Sequence, residues 1–117
     1  MSSTSKIVAV GAIFLGEALS ILAELVASKQ FGKAGGYLTT LLPMFLLVTI
    51  GGILLVCGYA LGYMHLKNMW IIVAISVGAI LVVEPLLTLL LFRDAPTAGS
   101  LIGLALGALG TLAAIFL

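Results

Sequence analysis

Residues Ile7 to Ser28 read IVAVGAIFLGEALSILAELVAS, an apolar run long enough to cross a lipid bilayer. A spanning helix needs roughly 20 predominantly apolar residues. Glu24 lies inside this run, where an acidic side chain costs about 2.5–3.5 kcal/mol on insertion scales. An ionisable residue in such a position is by default a candidate functional site, with a proton or a cation as its partner.

The composition of the whole chain is that of an integral membrane protein. Its 117 residues are 63% hydrophobic and 8% charged, and the mean hydropathy is +1.40. A soluble domain of this size has no core that could bury so much apolar surface. A net charge of +1 gives no basis for nucleic-acid binding, which depends on clustered Lys and Arg. A single Cys excludes an intrachain disulfide framework. With only one Cys and one His, a structural metal site is not expected.

The pattern of apolar runs predicts four membrane spans within a single domain, 1–117. We expect the first run to be a retained span and not a cleaved signal peptide, because its apolar pattern continues past Glu17. Only helices satisfy every backbone group across lipid in segments of this length. The predicted fold is an all-α four-helix membrane bundle, with spans at about 7–28, 37–63, 70–92 and 97–117.

The first span contains a second carboxylate on the same face as Glu24. Glu17 lies seven residues earlier, which is two helical turns. In a low dielectric the charged form of a carboxyl group is disfavoured. Such a group holds a proton or, after releasing it, a cation, and this exclusivity is the minimum requirement for proton-coupled exchange. The alternative is a neutral glutamate that joins neighbouring helices by a hydrogen bond.

The third span has a carboxylate beside a proline. Glu84 directly precedes Pro85, and proline removes an intrahelical hydrogen bond and frees a carbonyl group. A kink at this point would expose Glu84 to a cavity. Alternatively, Glu84 pairs with Lys67, Arg93 or a neighbouring serine.

The fourth span has a stripe of small residues. The stripe consists of Gly99, Gly103, Gly107 and Thr111, which follow one another at intervals of four residues. Such a stripe lets another helix approach closely, and Gly58 and Gly62 repeat the spacing once in the second span. The spacing leaves open whether the partner is a helix of the same chain or a second copy. We expect self-association, because four short spans alone barely enclose a site.

Basic residues leave the orientation in the membrane open. Two of them, Lys6 and Lys67, lie at one end of the predicted spans, and the other end has Lys29, Lys33 and Arg93. Two against three is a weak bias under the positive-inside rule. Insertion in both orientations would allow an antiparallel pair, and the alternative is a single orientation set by other factors.

Short motifs along the chain resemble a known transporter family. The short motifs, in chain order, are ILAEL at 21–25, Pro43, LGYM at 61–64, VG at 77–78 and Arg93. A longer segment that overlaps the last of these runs from Glu84-Pro85-Leu86-Leu87 to Ala113. They resemble, in order and spacing, the small multidrug resistance family, and the longer segment resembles the closing segment of the repeat in the wider drug/metabolite transporter superfamily. The resemblance extends over most of the chain.

The resemblance implies a homodimer or a heterodimer with a paralogue, commonly antiparallel, with Glu24 of both copies at one central site. Protons, as the coupling ion and without any other cofactor, would compete there with a cationic substrate. It also implies that the fourth span forms much of the dimer contact, that Gly78 lets the third span bend and that Tyr63 lines the pathway. The implied location is a prokaryotic cytoplasmic membrane.

The chain departs from the family at several positions. The drug-exporting members have aromatic residues before the third-helix break, where this chain has Ile71, Ile72 and Ala74. Stacking of aromatic drug cations is therefore disfavoured. The first span lacks the family's following Gly-Thr and lysine, and Glu17 and Glu84 are additional carboxylates.

The leading prediction is a transporter and not an enzyme: a proton-coupled exporter of small or lipophilic cations that works by alternating access. Glu24 would be the binding site, with Glu17 and Glu84 in support. One alternative is a flippase, or flippase subunit, for a polyprenyl-linked sugar or other lipid, which the absent aromatic residues and the very apolar surface favour. Another is a non-transporting structural subunit of a membrane complex, in which the glycine stripe serves assembly.

Overall fold

A computed structural model describes residues 2–31 and 37–117, and it confirms the all-α, four-helix fold. The elements are α1 (Ser2–Phe31), α2 (Tyr37–Leu66), α3 (Met69–Phe92) and α4 (Ala98–Phe116). Each has a segment of 19 to 27 residues that is long and apolar enough to span a membrane. The chain is thus built as an integral membrane protein.

The helices run alternately up and down. Contacts between Gly16 and Gly51 and between Ile13 and Gly58 show that α1 and α2 are antiparallel. The Lys29 ammonium donates to the Leu91 carbonyl oxygen at 2.6 Å, so the carboxyl ends of α1 and α3 lie together. We call this side of the bundle the Arg93 end and the opposite side the Lys67 end.

Local signals explain the two described turns. Lys67 adopts a left-handed conformation with φ of 55°, and the Asn68 side chain then accepts from the Trp70 amide as the N-cap of α3. Arg93 ends α3 in the left-handed region, with φ of 57°. Thr97 caps α4 by accepting from the Ser100 amide at 3.1 Å.

Small residues bring α1 and α2 into close contact. A Cβ atom on Gly16 would lie 2.8 Å from the Gly51 carbonyl oxygen, and a Cβ atom on Gly51 would lie 2.7 Å from Ser20 Oγ. Gly58 faces Ile13 in the same way, about two turns after Gly51 toward the Lys67 end. Glycine is needed because only backbones without side chains approach this closely within a membrane.

The α4 helix is the peripheral element. Within the described residues it packs against α3 alone, and none of residues 98–116 is buried. The contact is made where a Cβ atom on Gly107 would meet Leu81 at 3.1 Å and one on Gly78 would meet Thr111 at 3.2 Å.

The surface of the bundle is apolar and its buried core is small, as expected for a protein solvated by lipid. Exposed large side chains occur on every helix, among them Val56, Trp70, Leu90 and Leu106. The buried hydrophobic residues among those described are four alanines and three isoleucines: Ala9, Ala23, Ala74, Ala79, Ile13, Ile21 and Ile72.

The observed helices are longer than the predicted spans. α1 starts at Ser2 and ends at Phe31, and α2 continues to Leu66, so the predicted connection over 64–69 shrinks to Lys67 and Asn68. Gly32 to Gly36, within the predicted first loop, lie outside the described residues. Helices α2 and α3 are also continuous through Pro43, Gly78 and Pro85. Proline is tolerated within membrane helices because neighbouring groups satisfy the backbone oxygen that it leaves free. The role of Gly78 and Pro85 as bending points concerns motion and stays a prediction.

Candidate functional site

Glu17 is held between two helices. Ser76 Oγ, on α3, donates to Glu17 Oε1 at 3.0 Å. Ser76 is 6% exposed and Glu17 is half-buried, so the bond lies inside the bundle. Its surroundings match the alternative reading of a glutamate that joins helices by a hydrogen bond.

Glu24 has different surroundings from Glu17, although the two lie only about 20° apart around α1. Glu24 is exposed, and the hydroxyl of Ser28, one turn later in α1, donates to the Glu24 main-chain carbonyl oxygen at 2.8 Å. No hydrogen bond within the described part of the chain involves its carboxylate. Glu24 is six residues before Gln30, where the apolar segment of α1 ends, and therefore lies roughly 9 Å inside it.

Glu84 lies in a groove that Glu17 and Glu24 do not line. Glu84 is exposed, and its main-chain carbonyl oxygen accepts a hydrogen bond from Thr88 Oγ1 at 2.7 Å. The groove has a volume of about 590 Å³ and is lined by α3, α4 and the turn between them. Within one chain, the three glutamates are thus not gathered into one cavity.

The charged groups that could neutralise these carboxylates lie toward the ends of the bundle. At the Arg93 end, the Lys29 ammonium is engaged with the Leu91 carbonyl oxygen. Lys6 and Lys67 lie at the opposite end and are exposed. The helix interiors therefore present carboxylates without basic partners among the described residues, and positive ligands suit them best.

Tyr63 lies far from Glu24 within one chain. It is 51% exposed in the last turns of α2, and its carbonyl oxygen accepts from the Lys67 amide at 2.9 Å. Since Gly51 of α2 faces Gly16 of α1 and the two helices are antiparallel, Tyr63 is displaced from the level of Glu24 by roughly 30 Å along the axis. Its assignment to the pathway stays a prediction.

The glycine stripe of α4 is divided between two environments. Gly107 and Thr111 contact α3 of the same chain, whereas Cβ atoms on Gly99 and Gly103 would meet no heavy atom within 4 Å. The second-span glycines are used within the chain, because Gly58 faces α1 and Gly62 faces Ile72 of α3. The part of the predicted dimer interface that is free for a second copy is therefore Gly99 and Gly103.

Comparison with known protein families, with curated proteins and with solved structures finds no match. The resemblance to small multidrug resistance proteins stays a prediction based on the motifs alone.

Sequence reasoning missed one residue of this site. Ser76 precedes the Val77-Gly78 pair and was not expected to contact a glutamate, but its hydroxyl provides the interhelical hydrogen bond. The signal was available in principle, since a serine in the interior of an apolar span needs an acceptor. Among the described residues, no group of three or more His, Cys, Asp or Glu side chains could hold a metal ion.

Proposed function

We propose that the chain is a dimeric, proton-coupled secondary transporter that exports small or lipophilic cations across a prokaryotic cytoplasmic membrane. The observation that supports it most directly is the exposed Glu24, whose carboxylate makes no hydrogen bond within the described residues and lies inside a membrane-spanning segment. A carboxylate in lipid without a partner is costly. A proton or a bound cation removes that cost.

The two glutamates of α1 have separate roles in this proposal. Glu17 accepts from Ser76 and stabilises the contact between α1 and α3. Glu24 is free to exchange a proton for a cation because no described group competes for it. Its exposed side would be covered by a second copy, which would put two Glu24 carboxylates at one central site.

The dimer is supported by the packing of α4. This helix contacts only α3 among the described helices and buries none of its own residues. Gly99 and Gly103 leave open space along it, which suits the close approach of another helix. Alternating access would then follow from rocking of the two copies around the shared site.

A flippase for an amphiphilic lipid is the second candidate, and the groove at Glu84 favours it. A polar headgroup crossing a bilayer needs a route with polar side chains, and this groove offers Glu84, Thr88 and Ser100. A structural subunit of a larger complex has only the stripe of small residues in its favour.

The experiment is exchange across reconstituted vesicles that hold wild type, Glu24→Gln or Glu17→Gln. With an outward cation gradient of guanidinium or tetraphenylphosphonium, wild type should drive proton movement in the opposite direction. Glu24→Gln should abolish exchange while the dimer persists. Glu17→Gln keeps the oxygen that accepts from Ser76 and should retain most of the activity. Exchange retained by Glu24→Gln would overturn the proposal.

A further inference from the structure

Two side-chain hydrogen bonds join α1 to α3 among the described residues. The first, from Ser76 to Glu17, lies inside the bundle. The second, from the Lys29 ammonium to the Leu91 carbonyl oxygen, lies at the Arg93 end. The bonded residues are 59 and 62 positions apart in the chain, so the two helices run side by side in nearly constant register. Lys29 therefore joins α1 to α3 at a point roughly 20 Å from the first bond.

The part of α3 nearest the Arg93 end is lightly packed. The last buried residue of α3 is Ala79, and none of residues 80–92, which we call the outer segment, is buried. A contact of α2 with α3, in which Gly62 faces Ile72, lies toward the Lys67 end. On another side of the outer segment, a groove of about 590 Å³ separates it from the start of α4. Burial therefore does little to fix the position of the outer segment.

The backbone of the outer segment has a weak point. Pro85 has no amide hydrogen, so the carbonyl oxygen of Leu81, one turn earlier, has no intrahelical donor. Sharp helix kinks, of more than about 20°, occur mainly at such prolines. Helix α3 is nevertheless continuous through Pro85. A helix that is weakened here and unburied beyond this point requires another contact to hold it against α1.

Lys29 provides that contact. The Leu91 carbonyl belongs to the last turn of α3, where carbonyl oxygens have no intrahelical donor. The Lys29 ammonium donates to it from α1 at 2.6 Å. Hydrogen bonds from a charged donor are roughly twice as strong as neutral ones, and a positive charge is favoured at the carboxyl end of a helix. The bond thus acts at the free end of the outer segment.

We propose that Lys29 is a latch for the outer segment of α3. While its ammonium holds the Leu91 carbonyl oxygen, the outer segment lies against α1. When the ammonium releases this oxygen, the outer segment moves away from α1 by bending between Leu81 and Pro85. The register of the two hydrogen bonds puts Glu24 level with residues 83–86, so the moving segment is the one beside Glu24. The latch does not rest on the proposed function, and it stands whether or not Glu24 exchanges cations.

The test measures distances between α2 and α3 at both ends of the bundle by double electron–electron resonance. Helix α2 is a suitable reference, because its glycines hold it closely against α1. The exposed Cys57 is first replaced by serine. Labelled protein is then diluted with an excess of unlabelled protein, so that only distances within one chain are counted.

Two pairs of nitroxide labels compare the two ends. Leu42→Cys with Leu90→Cys reports on the Arg93 end, and Val56→Cys with Val73→Cys reports on the Lys67 end. All four side chains are exposed, so the labels should leave the packing intact. The second pair lies outside the outer segment and shows whether the whole bundle has loosened.

Lys29→Met removes the ammonium and keeps a side chain of similar length. A bend of about 20° moves Leu90, which lies roughly 10 Å beyond the weak point, by roughly 4 Å. In Lys29→Met, the distance between the labels at 42 and 90 should therefore lengthen by about 4 Å, and the distance between 56 and 73 should stay as in wild type. Lys29→Arg keeps a charged donor and should keep both wild-type distances. Lys6→Met, which removes an exposed lysine at the opposite end, should also keep both.

Three results would overturn the proposal. An unchanged distance between 42 and 90 in Lys29→Met would mean that packing alone holds the outer segment. A change of similar size in both label pairs would mean that the bundle has loosened as a whole. The same lengthening in Lys6→Met or in Lys29→Arg would mean that the charged hydrogen bond to the Leu91 carbonyl oxygen is not what holds the outer segment.

Discussion

Ser76 Oγ donates to Glu17 Oε1 at 3.0 Å, and this hydrogen bond joins α1 to α3 inside the bundle. Glu24 lies two turns further along the same face of α1, and its residue is exposed. The hydrogen bonds among the described residues give the Glu24 carboxylate no partner. Two identical side chains on one helix face are therefore expected to differ in what they do, Glu17 in packing and Glu24 in binding.

Removing the Ser76 hydroxyl tests the packing role of this hydrogen bond. Interhelical hydrogen bonds in membranes are worth about 0.6 kcal/mol on average and up to about 1.7. We expect Ser76→Ala to lower the free energy of unfolding by about 1 kcal/mol in a denaturing-detergent titration. Ser28→Ala is the matched control, because its hydroxyl donates only to the carbonyl oxygen of Glu24 in its own helix. Equal losses in both variants would contradict the interhelical role.

Two adjacent glycines of α2 give a sharper test of the α1–α2 contact. A Cβ atom on Gly51 would lie 2.7 Å from Ser20 Oγ and 2.9 Å from the Gly16 carbonyl oxygen, whereas one on Gly52 would meet nothing within 4 Å. Gly51→Ala should therefore cost about 1–3 kcal/mol of stability, as overpacking does. Gly52→Ala should be neutral or stabilising by up to about 1 kcal/mol, because alanine favours helix. Thermal unfolding in detergent measures both, and similar melting temperatures for the two variants would refute the close contact.

The fold was largely predictable from the sequence, for a physical reason. Four long apolar runs separated by charged or turn-forming residues leave lipid-spanning helices as the only backbone solution. Helix ends were harder, since hydropathy does not mark where a helix leaves the membrane. Helix α2 therefore continues through His65 to Leu66, beyond the predicted end of the second span at residue 63.

The surroundings of the site residues were not predictable in the same way. Helical spacing put Glu17 and Glu24 on one face of α1. It could not show that Ser76 of α3 donates to the Glu17 carboxylate, whereas no described residue donates to the Glu24 carboxylate. Spacing also could not divide the α4 stripe, in which Gly107 faces Leu81 of the same chain and Gly99 faces open space. These outcomes depend on which helices become neighbours, and the periodicity of a single helix does not contain that information.

The free part of the α4 stripe predicts where a second copy binds. Gly99→Leu places a large side chain where a close helix contact is expected, so it should shift the protein from dimer to monomer by tenfold or more, about 1.4 kcal/mol. Ala105→Leu is the matched control, because Ala105 is exposed and lies about 120° from Gly99 around α4, outside the stripe. Sedimentation in detergent across a range of protein concentrations measures both. A dimer unaffected by Gly99→Leu would place the contact on another surface.

The most direct test of the central claim is proton release from the purified, weakly buffered protein when guanidinium or tetraphenylphosphonium is added. If one carboxylate holds either a proton or a cation, wild type should release protons in a saturable manner and Glu24→Gln should release none. Glu17→Gln should behave as wild type does. Saturable release of the same size from Glu24→Gln, or no release from a well-folded wild-type dimer with either cation, would contradict the account.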